Sequence, residues 1–109
     1  MIFLCTADTI PEAEGRAFQV VQGDDRLLQV LLIRFHGQYY AYENACAHFG
    51  VRLDTTADYR FLDQGKVVCQ VHYARYDPVT GACVGGECDK QGLRSLPIEI
   101  TDTGIYLSV

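Results

Sequence analysis

Two short stretches, CAHFG at Cys46–Gly50 and CQVHYARYD at Cys69–Asp77, decide how this chain reads. Each pairs one cysteine with one histidine, as Cys-x-His in the first and Cys-x-x-His in the second. Turn-forming residues surround both, from about 44 to 87, and more regular sequence flanks them on either side. A scaffold that lifts two loops out of its body is a common way to present a site. A metal centre, a redox thiol and coincidence are the readings open at this point.

The flanks are β almost throughout. IFLC, AFQVVQ, LLQVLLIRF, QYYAYE, KVVCQ, ACVG, LPIEI and IYLSV are rich in branched and aromatic residues that suit a pleated, half-buried surface. HGQ at His36–Gln38 and DTG at Asp102–Gly104 are turn signals between strands. The last hairpin alternates. Leu96, Ile98 and Ile100 should share a face with Ile105, Leu107 and Val109, while Glu99, Thr101, Tyr106 and Ser108 take the other. No window has a convincing helical period, and only TTADYRFLDQG leaves room for a turn of helix. The expectation is an all-β fold in a single domain spanning residues 1–109, with the strands of the flanks as scaffold.

Composition excludes several classes. The net charge is −5, and the nine basic residues are scattered from Arg16 to Arg94 without a run, which argues against nucleic acid. Gln29 and Arg34 interrupt the longest apolar stretch, which is far short of the roughly 20 residues a spanning helix needs. The start, MIFLCTADTIPE, lacks the basic head of a secretory signal, so a cytoplasmic location is expected. Five cysteines in such a chain point to metal or redox work rather than a disulfide framework. Cys83 and Cys88 in CVGGEC are close enough to pair, but a reducing cytoplasm favours thiols there. Cys5 reads as a small core residue and His36 as an exposed turn residue.

Thiolate and imidazole are ligands for zinc and for iron–sulfur chemistry. Two ligands on each of two loops complete a tetrahedral zinc site or hold a two-iron cluster. A zinc finger normally sets two cysteines in one limb and two histidines in the other. Here each limb is mixed, as a [2Fe–2S] unit needs when two thiolates hold one iron and two imidazoles the other.

The sequence resembles the Rieske family at this point. CAHFGVRL is similar to its first box, Cys-x-His-x-Gly-x-x-Leu, and CQVHYARYDPVTG to its second, with an aromatic-Asp pair and a Thr-Gly turn. GQYYAYENAC resembles the strand leading into the first box, and LRSLPIEITDTGIYLSV the closing hairpin. The resemblance implies an antiparallel β sandwich with a small cluster-binding subdomain formed by two loops. It implies one [2Fe–2S] cluster, with Cys46 and Cys69 on the inner iron and His48 and His72 on the outer. Gly50 and Gly81 would allow tight turns. A single zinc at the same four residues is the competing metal reading.

Departures from the family pattern are informative. Quinol-oxidising members carry an extra cysteine in each box, where this chain has Val51 and Val71, so it resembles the ferredoxin branch. The residue after the last histidine is commonly Gly and here is Tyr73, and the family's Gly-Pro appears as Gly86–Glu87. High-potential members place Ser and Tyr where this chain has Ala74 and Tyr76, which implies a low potential with Tyr76 as the remaining candidate donor to a cluster sulfur. The resemblance implies a one-electron carrier without catalysis of its own, serving a reductase and a terminal oxygenase. A cluster-bearing subunit of a larger enzyme such as a nitrite reductase, or a non-enzymatic redox or zinc module, are the alternatives.

Overall fold

The computed structural model describes residues 2–22, 26–44, 62–63, 65–69, 74–85 and 92–108. Ten strands and no helix are found among the described residues. They are β1 (Ile2–Cys5), β2 (Glu14–Gln22), β3 (Arg26–Phe35), β4 (Gln38–Glu43), β5 (Leu62–Asp63), β6 (Lys66–Val68), β7 (Arg75–Tyr76), β8 (Cys83–Gly85), β9 (Ile98–Thr101) and β10 (Gly104–Leu107). All pairings are antiparallel, in three sheets ordered β1-β10-β9, β2-β3-β4 and β5-β6-β7-β8.

The β2-β3-β4 sheet is central because both its faces are apolar. Val30, Leu31, Leu32 and Ile33 of β3 are each fully buried. Side chains alternate across a strand, so this unbroken run supplies two cores. Val30 and Leu32, with Val20 and Ala41, meet Leu4, Cys5, Ile105 and Leu107 of the β1-β10-β9 sheet. Leu31 and Ile33, with Tyr42, meet Val67, Cys69, Ala74 and Tyr76 around the small β5–β8 sheet. Each such Leu or Ile contributes roughly 1.5–3 kcal/mol by leaving water.

The closing hairpin has the expected register, with Ile105 opposite Ile100 and Leu107 opposite Ile98. Ile105 and Leu107 are buried, but Ile100 is 52% exposed. The reason is position, since β10 lies between β1 and β9 and leaves β9 at the edge. Cys5 is buried, as expected, and desolvation pushes its thiol pKa up. The possible helical turn at TTADYRFLDQG falls mostly outside the described residues, and its described part contains β5, a strand. Strands β5 and β7, two residues each, went unread in the sequence because so short a pairing has no period to detect.

The β3–β4 turn is held from outside. His36 and Gly37 both take positive φ, 52° and 75°. Their backbone N–H groups donate to the two carboxylate oxygens of Glu12, each at 2.7 Å. The Gly37 N–H is the main cause that holds the Glu12 carboxyl below its usual pKa, with the His36 N–H and Arg34 adding to it. The folded state therefore favours the carboxylate. Its contribution is present above the unfolded pKa near 4.5 and is lost as pH falls below it. Glu12→Gln should lower the thermal midpoint at neutral pH and flatten the acid limb of a Tm-against-pH series. An acid limb as steep as that of the parent chain would remove Glu12 from the account.

Candidate metal centre

The second box lies at the end of a hairpin. Val67 pairs with Tyr76 and Val68 with Arg75, and beyond them the Cys69 N–H donates to the Ala74 carbonyl at 2.8 Å. The chain thus leaves at Cys69 and returns at Ala74. Cys69 is fully buried and lies outside any disulfide. A thiolate at such a depth needs a cation to offset its desolvation, and a metal provides one. His72 and Tyr73 lie outside the described residues, as do Cys46, His48 and Gly50 of the first box. Of the four ligands read from the sequence, the described structure therefore places Cys69. A deeply buried thiol on a closed hairpin end fits the inner-iron role.

The turn after the second box is built around Asp77. Its Oδ1 accepts the N–H groups of Val79 at 2.8 Å and Thr80 at 3.3 Å. The Gly81 N–H donates to the Asp77 carbonyl at 2.8 Å, and the Asp77 N–H donates to Ala82 at 2.9 Å. Gly81 takes φ +77°, and a Cβ there would stand 2.8 Å from Tyr42 Cε1. A glycine is therefore required here twice, by conformation and by space.

Tyr42 was not singled out in the sequence, yet it joins the central sheet to this turn. Its hydroxyl donates to the Pro78 carbonyl at 2.8 Å, and its ring is 2% exposed. Burial, with the nearby Asp77 charge second, pushes its pKa up to about 12. Gly92 was also missed. A Cβ on it would come within 2.8 Å of the Gly81 carbonyl, which accepts the Leu93 N–H at 2.7 Å. The signal in both cases is tertiary, and no local pattern carries it. Tyr76 is fully buried in the same core as Cys69, and Ala74, fully buried beside it, has no side-chain donor.

One expectation is corrected. Cys83, on β8, is disulfide-bonded rather than a thiol. Cys5 and Cys69, the other cysteines among the described residues, are outside disulfides. Compartment chemistry guided the expectation, whereas the placement of Cys83 on a paired strand fixes where its sulfur can reach.

The Rieske [2Fe-2S] domain profile matches residues 1–99. The chain belongs to the Rieske family. Its cofactor is accordingly a [2Fe–2S] cluster. The ferredoxin component of naphthalene 1,2-dioxygenase/salicylate 5-hydroxylase systems from Ralstonia sp. is 26% identical over 94% of this chain and 88% of its own length. A Haloferax mediterranei protein, named as a respiratory nitrate reductase Rieske subunit, is 31% identical over 64% of this chain, which spans 29% of that relative. In fold, the chain is similar to the ferredoxin of carbazole 1,9a-dioxygenase from Nocardioides aromaticivorans IC177. The TM-score is 0.73 at 23% identity, covering 97% of this chain and 94% of the other.

Two substitutions test how the Rieske turn is braced. Tyr42→Phe should cost about 1–2 kcal/mol in denaturant unfolding, because the Pro78 carbonyl is left buried without its donor. It should also abolish a phenolate absorbance step near pH 12. Because the folded pKa is raised, the parent chain should lose stability as pH climbs from 10 towards 12, and Tyr42→Phe should lose less. Gly81→Ala should destabilise by at least about 1 kcal/mol, since it meets both a positive φ and the Tyr42 ring. Wild-type unfolding in either variant would contradict this bracing.

Proposed function

We propose that this protein is a one-electron carrier of the ferredoxin type, passing electrons between a reductase and a terminal oxygenase. The observation that carries the reading is the near end-to-end match with a ferredoxin component, 94% of this chain on 88% of that one. The match to the Haloferax relative covers a much smaller share of that protein, so the subunit alternative has less support. Cys46, His48, Cys69 and His72 are the proposed ligands, two thiolates on one iron and two imidazoles on the other. The whole chain is read as one domain, with residues of about 44–87 forming the cluster-binding part.

The cluster supplies uptake and release of one electron. The polypeptide supplies its environment. Cys69 sits in an apolar pocket that excludes water. Ala74 offers no side-chain hydrogen bond, which leaves Tyr76 as the candidate hydroxyl donor on that side and keeps the potential towards the low end of roughly −150 to +300 mV. Tyr73 and Gly50 would shape the loops around the two histidines. No helix among the described residues is long and apolar enough to cross a membrane. The proposed site of action is the cytoplasm, although the disulfide at Cys83 is a bond more usual in oxidising compartments.

Purified protein should be red-brown, hold two irons per chain and give a Rieske-type EPR signal on reduction. A colourless protein binding one zinc would sink the reading. Tyr76→Phe should lower the potential measured by redox titration, and an unchanged value would assign Tyr76 to packing alone. Electron transfer from a reductase to an oxygenase of an aromatic-ring-hydroxylating system should depend on the holoprotein. If no oxygenase accepts its electrons, the partner class is wrong although the cluster stands.

A further inference from the structure

On the β3 face that carries Leu31 and Ile33, the residue two positions before Leu31 is Gln29. Alternation places its side chain on that same face, towards the core shared with Cys69. The register sets out two rows across the central sheet. Ala17, Leu31 and Tyr42 form one, and all three belong to or pack against that core. The next row is Gln19, Gln29 and Asn44, because Gln19 lies opposite Gln29 and the Asn44 N–H donates to the Gln29 carbonyl at 2.8 Å. An apolar row thus gives way to a polar one at the end of the sheet where β4 runs into the first box. Asn44, 1% exposed, is two residues before Cys46.

Within this row Gln29 Oε1 is buried and has no hydrogen-bond partner among the described residues. A buried polar atom is normally satisfied, so an orphan calls for a partner. The electron-rich sulfurs of a [2Fe–2S] cluster and its thiolates accept hydrogen bonds. A half-turn about Cγ–Cδ exchanges the oxygen and nitrogen of an amide without changing its shape, which puts the Nε2 donor where Oε1 now stands. We propose that Gln29 is a positioning residue for the cluster, its side-chain amide donating to a sulfur of the loaded site from the first-box end of the central sheet. The proposal rests on the Rieske reading and adds a residue that lies outside both boxes.

A donor to sulfur favours the reduced, more negative cluster. Gln29→Met keeps length and bulk but removes the donor. It should shift the reduction equilibrium of the holoprotein about tenfold towards the oxidised form, a fall of about 59 mV for one electron. The g-values of the reduced protein should move with it. Gln29→Leu should do the same and decides the matter where the Met variant does not load. With glutamine side chains labelled by nitrogen-15, pulsed EPR of the reduced parent protein should show a weak nitrogen coupling that is lost in the Gln29 variants, which separates it from any signal of Gln70. Potentials and g-values equal to the parent's in a two-iron variant, or no such coupling in the parent, would overturn the proposal. So would a lower Tm with an unchanged potential, which assigns the amide to polypeptide contacts. A parent protein without a Rieske signal overturns the cluster reading itself, a result distinct from these.

Discussion

The constraint on which the rest depends is the burial of β3 on both faces. Val30 and Leu32 serve one core, Leu31 and Ile33 the other, and none is solvent-exposed. An antiparallel strand usually keeps one polar face, so a two-sided strand fixes its neighbours on both sides at once. A one-residue slip would exchange the two sets and misfit both cores. The terminal sheet and the small β5–β8 sheet are therefore located by the same four residues. The edge of β4 is covered as well, by hydrogen bonds from Glu43 to Arg94 and from Leu96 to Ala41.

From that strand the order passes to the second box through a few contacts of long sequence separation. Tyr42 pairs with Leu31 in the sheet, and its hydroxyl reaches Pro78. Its ring lies against Gly81, whose carbonyl takes the Leu93 N–H. The turn from Asp77 to Ala82 is thus braced by the central sheet and by the chain near Leu93, with Asp77 closing it from within. The Glu43–Arg94 ion pair, at 3.2 Å but with Arg94 75% exposed, adds little to this. Packing and backbone hydrogen bonds do most of the positioning.

Much of this fold was legible in the sequence, because the strands of the flanks carry their own period and turn chemistry. QYYAYE corresponds to β4 residue for residue, and the HG and DTG turns stand where their glycines put them. The two boxes named the family because ligand type and spacing are local features. Three kinds of fact were not legible. Strands of two residues have no period. The exposure of Ile100 depends on which strand is at the edge, which is a property of sheet order. The roles of Tyr42 and Gly92, and the one proposed for Gln29, depend on neighbours far away in sequence, so each reads locally as an ordinary strand or loop residue.

The same separation explains how this chain can depart from the family pattern without losing the frame. Val67, Cys69, Ala74 and Tyr76 are held by the face of the central sheet and by the Cys69–Ala74 hydrogen bond, which needs no particular side chain at 74. Ala74 can therefore stand where high-potential members have a hydroxyl, and the hairpin closes all the same. What would change is the number of side-chain donors that can reach a bound cluster. Backbone and packing set where Cys69 sits, while the proposed donors Tyr76 and Gln29 would act on the electrostatics around a bound cluster. On that proposal geometry and potential would be adjusted by different residues, and a chain could drift in the second without disturbing the first.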